Sequence, residues 1–186
     1  MLIKGGSGNT RVDYLSAEQR QAIADRLQGQ YLLIWLIGCS TGLRISDILC
    51  LTVRQLTRQY TWVTERKTHK RRRIYIQQNI RSRVAEYAAK HDLQPDSKIF
   101  TVSRQTVWKH LKRAAELENI CTNVGTHTMR KTYSRAYIDK GYSLEDLHER
   151  LNHSHLSDTI GYITSNQQLG LDSQGKQKKR GKKRVS

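Results

Sequence analysis

A single proline and a single phenylalanine stand among 186 residues. With one proline there is no proline-rich linker between two halves, and the length suits one well-buried core while being short for two domains. No apolar run approaches the ~20 residues that a membrane span needs. The strongest, Tyr31 to Ile37, has the length of a core helix. No signal peptide opens the chain, so the protein is expected to stay in the cytosol. Cysteine is also scarce. Cys39, Cys50 and Cys121 are odd in number, far apart and without a Cys-x-x-Cys, and they read as reduced, buried thiols. Acidic residues are few as well: 16 Asp and Glu face 33 Lys and Arg, a formal net charge of +17. Such a balance calls for a polyanionic partner. Because the cations recur in patches, nucleic acid is favoured over a mere solubility role, with an anionic membrane surface as the alternative.

What is present alternates between helical and extended patterns. Ser16-x-x-Gln19 reads as a capping box that opens a helix with Ile23 and Leu27 on one stripe. A second helix, Gln30 to about Ser40, is apolar almost all round and so belongs at the centre. Gly42 can end it in a left-handed conformation, and the next helix places Arg44 and Asp47 on one face. Arg44 falls between two apolar helices, where an unpaired guanidinium is costly. It needs a partner, and a phosphate would serve. From Tyr60 the period changes to two: Tyr60, Trp62, Val63 and Thr64 suit one strand and Ile74, Tyr75 and Ile76 another, with Glu65 to Arg73 as the hairpin tip. Arg66, Lys67, Lys70, Arg71, Arg72 and Arg73 put six cations into eight residues of that tip, an expected contact for a DNA backbone. Two further helices run from Asn79 to about His91 and from Ser103 onward, the latter showing Arg104, Lys109, Lys112 and Arg113 outward. After Leu171 the composition shifts to Lys, Arg, Gly, Gln and Ser, a tail expected to be disordered alone. The expected architecture is mainly α with one small antiparallel β-hairpin, an α+β fold.

The stretch Thr126 to Tyr162 carries the residues best suited to chemistry. His127 and Arg130 share a helix face, with Thr126 placed to cap that helix. Ser143 opens another helix carrying Leu144, Leu147 and Leu151, which His153 closes, and Tyr162 follows nine residues later. Singly, each has a plain structural explanation. Together with the cations upstream they suit phosphodiester cleavage, which needs a nucleophile, charge stabilisation at the non-bridging oxygens and a proton for the leaving oxygen. Fixed arginines can do there what divalent ions do elsewhere. His153, His155 and the nearby carboxylates follow no ligand spacing, so neither a metal nor a cofactor is expected.

Gly42-Leu43-Arg44-Ile45-Ser46-Asp47, Lys67-Thr68, His127-Thr128-Met129-Arg130, Leu151-Asn152-His153-Ser154 and Tyr162 resemble, in order and interval, the signature boxes of the tyrosine recombinases, the phage integrase family. The resemblance spans roughly Tyr14 to Ser165 and implies that family's catalytic-domain fold, with residues 1–13 as an extension, 14–170 as the catalytic domain and 171–186 as a basic flexible tail. It implies Arg44 and Arg130 as phosphate-binding arginines, Lys67 as the hairpin lysine and general acid, His127 and His153 as the histidine-box residues, and Tyr162 as the nucleophile. Asp47 matches the acid supporting the first arginine, and Lys70 is the alternative to Lys67. Asn152 departs from the family's usual glycine. The run Tyr162 to Asn166 is similar to that of the short fimbrial-switch inversion enzymes. The implied function is site-specific recombination of double-stranded DNA through a 3′-phosphotyrosine, in a bacterial or phage-encoded protein acting in the cytoplasm. The protein would be a monomer when free and a homotetramer on DNA, with part of Ile163 to Ser186 packing on a neighbour. A non-catalytic DNA-binding regulator and a type IB topoisomerase are the competing readings.

Overall fold

The helix α2, Gly29–Thr41, runs through the middle of the computed structural model, which describes residues 13–153 and 155–163. Its apolar character on all sides is explained by what surrounds it: Leu33, Ile34, Trp35 and Ile37 are buried, and the Trp35 indole N–H reaches the carbonyl of Arg20 at 3.1 Å. Ahead of it lies α1, Ala17–Arg26, capped as expected by the reciprocal Ser16 and Gln19 bonds. After it come the short α3, Ile45–Ile48, and α4, Val53–Thr57. α4 is too short for a helical stripe to mark it, although Thr52-x-x-Gln55 forms the same capping box there.

The hairpin pairs β1, Tyr60–Thr64, with β2, Arg71–Tyr75, antiparallel, so that Trp62 faces Arg73 and Val63 faces Arg72. β2 thus begins three residues earlier than the apolar pattern indicated. Strict alternation turns Thr61, Val63, Arg72 and Ile74 inward and leaves Tyr60, Trp62, Arg71, Arg73 and Tyr75 exposed. On that outer face Arg71 lies over the Trp62 ring and Arg73 over Tyr60. Beyond the hairpin are α5, Gln78–Lys90, and α6, Arg104–Leu117. They are followed by α7, Thr126–Asp139, α8, Leu144–Leu151, and α9, Leu156–Ile163. The observed cap of α7 is Gly125 rather than Thr126, which is the first helical residue; the Gly125 N–H donates to the Thr128 hydroxyl at 2.9 Å. α8 ends at Leu151 with Asn152 left-handed at φ 50°, so His153 lies just past the helix.

The cysteines are unpaired, but only Cys39 is buried, its thiol pushed well above the ordinary range by desolvation. Cys50 is half-buried and Cys121 exposed, which corrects the expectation of three buried thiols. Among the described residues no helix is long and apolar enough to cross a membrane.

α7 packs on α2 through a point of close approach. A Cβ at Gly38 would lie 2.4 Å from the Met129 sulfur and 2.9 Å from its Cβ. Gly38→Val is therefore expected to overpack this contact and destabilise the fold by about 1–3 kcal/mol. Urea denaturation checks this, with a lowered midpoint at unchanged slope.

Candidate active site

α7 is a helix whose buried side is polar: Thr128, Arg130, Lys131, Thr132 and Ser134 are all inside. Arg130 is only 1% exposed. Its Nη1 donates to the Gly42 carbonyl at 2.7 Å and its Nη2 to the Leu151 carbonyl at 2.5 Å. Those carbonyls terminate α2 and α8, where the helix dipole is negative and the last carbonyls lack intrahelical partners. Both helices can turn sharply there because Gly42 and Asn152 are left-handed. Asn152 thus occupies the family's glycine position in the conformation glycine usually supplies, which asparagine tolerates better than most residues. Burial, together with nearby Arg44, lowers the Arg130 pKa to about 10, so it remains a cation at neutral pH.

Arg44 caps α3 without a side-chain cap bond and donates from Nη1 to Glu65 Oε2 at 2.5 Å. Glu65 is wholly buried, and its Oε2 also accepts from the Thr68 hydroxyl at 2.9 Å. The partner that Arg44 required is therefore a carboxylate from the hairpin. This corrects the role expected of Asp47, whose Oδ1 accepts instead from the Arg66 backbone N–H at 3.0 Å. Among the described residues the Asp47 carboxylate makes no hydrogen bond to the Arg44 guanidinium; the two are joined only through the backbone, the Asp47 N–H donating to the Arg44 carbonyl at 2.9 Å. The sequence signal for Glu65 is that it is the one acid beside a run of cations.

Tyr162 is carried by α9 to the mouth of the same pocket. Its hydroxyl lies 3.2 Å from His127 Nδ1, the Arg130 guanidinium carbon is 5.7 Å from its ring centroid, and the His153 ring is 4.9 Å away, centroid to centroid. The pocket, about 420 Å³, is lined by Arg44, Lys67, His127, Arg130, His153 and Tyr162 together, all six of the catalytic residues expected from sequence. Lost hydration, followed by Arg104, Arg130 and Arg44, depresses the pKa of His127. Burial, then Arg130 and Arg44, takes His153 down to about 3. Both imidazoles are neutral at pH 7. His153 Nδ1 is held 2.9 Å from the Thr159 hydroxyl, which also lies 3.1 Å from His148 Nδ1. Nothing in the sequence pattern pointed to Thr159.

The residues expected to touch DNA divide into two groups. Arg66, Lys70, Arg71, Arg73, Arg104, Lys109 and Lys112 are exposed, and Arg104 also lines the pocket. Arg72 is not on the surface. It is 8% exposed, with Nη1 donating to the Arg150 carbonyl and Nη2 to the Thr41 carbonyl, and it lies 3.8 Å from Glu65 Oε1. The backbone-contact expectation is corrected for this residue because strand alternation turns it inward. Lys67 lines the pocket, whereas Lys70 does not.

Comparisons with known proteins place the family and the fold. The Phage integrase family profile matches residues 13–168. The probable integrase/recombinase YoeC of Bacillus subtilis is 31% identical over 154 residues, 78% of this chain and 83% of that protein. Tyrosine recombinase XerD of Shewanella oneidensis is 29% identical over 135 residues, 66% of this chain and 45% of that protein. The chain therefore spans most of YoeC but less than half of XerD. Among solved structures, a lambda integrase tetramer bound to a Holliday junction superposes with a TM-score of 0.62 at 17% identity, covering 96% of this chain and 53% of that one, which shows the fold. The narrower likeness to fimbrial-switch inversion enzymes is not confirmed by these relatives. With its matched span and its likeness to YoeC, the chain belongs to the phage integrase family, the tyrosine recombinases.

Proposed function

We propose that the chain is a site-specific DNA recombinase that cleaves and rejoins double-stranded DNA through a 3′-phosphotyrosine. The observation that carries this reading is the Tyr162 hydroxyl, hydrogen-bonded to a neutral histidine inside a pocket lined by the guanidiniums of Arg44, Arg104 and Arg130. Arg44 and Arg130 grip the non-bridging oxygens of the scissile phosphate and stabilise the charge that builds there. Both are held by the fold before DNA arrives, so little reorganisation accompanies the reaction. Tyr162 Oη attacks phosphorus, and its proton passes to His127 Nδ1. The bond from phosphorus to the 5′ oxygen breaks, and that oxygen takes a proton from the Lys67 ammonium. A neutral His153 can donate one hydrogen bond to the phosphate without adding charge. The phosphotyrosine ester conserves the bond, so a 5′ hydroxyl from another strand can attack it and release Tyr162 without ATP.

Exchange between two duplexes requires four cleavages, and we propose four protomers on DNA and a monomer when free; the lambda integrase structure described above is such a tetramer on a junction. Of the segment expected to reach a neighbour, Ile163 to Ser186, residues 164–186 lie outside the described residues.

Incubating the protein with candidate flanking DNA, followed by denaturing electrophoresis, is expected to give a covalent protein-DNA band that Tyr162→Phe abolishes. A band of equal intensity from Tyr162→Phe overturns the assignment. His127→Ala is expected to slow band formation by about 100-fold, the scale of a general-base contribution.

Lys67→Ala is expected to cleave ordinary DNA on the order of 100-fold more slowly. A substrate with sulfur at the scissile 5′ position should restore most of that loss, since a thiolate leaves without protonation: the cysteine reference pKa is about 8.5. Tyr162→Phe should gain nothing from sulfur. Rescue of Lys70→Ala instead would move the acid along the loop.

The depressed histidines also set a stability profile. Their folded pKa values lie below the unfolded value of about 6.5, so as pH falls below that value the unfolded chain binds protons that the folded one does not. Stability is expected to fall from about pH 6.5 downward. Thermal melts between pH 8 and pH 5 check this, and His153→Gln should show a shallower decline than the parent.

A further inference from the structure

Two buried arginines hold the same pair of helix ends. Arg130, from α7, bonds the carbonyls of Gly42 and Leu151, and Arg72, from β2, bonds those of Thr41 and Arg150. The four acceptors are two consecutive carbonyls at the end of α2 and two at the end of α8. The phosphate clamp and the hairpin are thereby fixed to one frame. The hairpin needs such an anchor, because a two-stranded sheet is marginal by itself. Its turn also hangs from this point: Glu65 lies 3.8 Å from Arg72 while bonding Arg44 and Thr68, and the turn is closed by the Glu65 N–H to the Lys70 carbonyl at 3.0 Å and the His69 N–H to the Glu65 carbonyl at 2.8 Å. Lys67 sits inside that turn and lines the pocket.

We propose that Arg72 is a positioning residue, which sets the turn carrying Lys67 in register with the arginine clamp by donating to the helix ends that hold Arg130. The reading rests on the proposed general-acid role of Lys67. A shift of about 1 Å in a reacting group can lower a rate by about 100-fold. A hairpin freed from its anchor would therefore lose proton delivery to the leaving oxygen while the tyrosine, the histidines and the clamp stay in place. Lysine at this position keeps the charge, but its single ammonium cannot span both helix ends as the planar fork does.

The test compares initial cleavage rates on ordinary DNA and on the sulfur substrate for Arg72→Lys, Arg72→Gln and Lys67→Ala, with thermal melts recorded alongside. The ratio of the two rates in one preparation cancels the fraction of folded protein, so a destabilised variant still gives an answer. Both Arg72 variants are expected to lose about 10-fold or more on ordinary DNA and to recover most of it with sulfur, Arg72→Lys losing less than Arg72→Gln. Gly38→Val, which disturbs α7 beside the clamp, should lose equally on both substrates. If Lys67→Ala is rescued by sulfur and the Arg72 variants are not, Arg72 serves the fold alone and the inference is overturned. If none is rescued, the acid assignment to the hairpin fails and the inference fails with it.

Discussion

Two guanidiniums bonded across two helix ends govern the geometry of this site. Arg72 and Arg130 would repel each other if brought together in isolation, and each would be costly to bury unpaired. The chain places them where four helix-terminal carbonyls converge, so the cations satisfy acceptors that would otherwise lack partners. The same bonds fix α8, and with it His153 just past the helix end, and they fix the inner strand of the hairpin. Removing one of these arginines would leave one orphaned acceptor at each helix end, while the other arginine would still bond its own carbonyl at both.

Burial, reinforced by the arginines' field, sets the state of the two histidines. Lost hydration lowers the proton affinity of both His127 and His153 most, and Arg130 and Arg44 lower it further. A neutral His127 can accept a proton from Tyr162; a charged one could not. The cost is borne at acid pH, where the folded protein resists protons that the open chain accepts. Glu65 moderates the excess of positive charge without occupying the phosphate position, since it takes one donor of Arg44 and leaves the rest of that guanidinium uncommitted to it.

Most of the site could be read before the structure because its signals are local. The capping box at Ser16, the left-handed Gly42 and the intervals from His127 to Tyr162 each depend on a few neighbouring residues, and six expected residues meet in one pocket. What escaped depended on tertiary direction. Inside a run of cations Arg72 reads as a DNA-backbone contact, although continuing the alternation back from Ile74 turns it inward. Asp47 was matched to Arg44 by spacing, but the hairpin returned a carboxylate, Glu65, to that arginine from 21 residues away. Thr159 serves two histidines from a helix that no periodic pattern announced.

The hydrogen bond between Tyr162 and His127 joins two residues of one chain, beside two arginines of that same chain. On the proposed function, nucleophile, proton acceptor and phosphate clamp are thus inherited as one unit. In a mixed assembly of a protomer lacking Tyr162 and a protomer lacking Arg130, neither copy would hold a complete set, and with this geometry neither could repair the other. Under the proposed exchange, a defective copy would leave its own strand uncut and so withhold the 5′ hydroxyl that a partner strand's phosphotyrosine needs, so the loss across a population would exceed the proportion of copies affected.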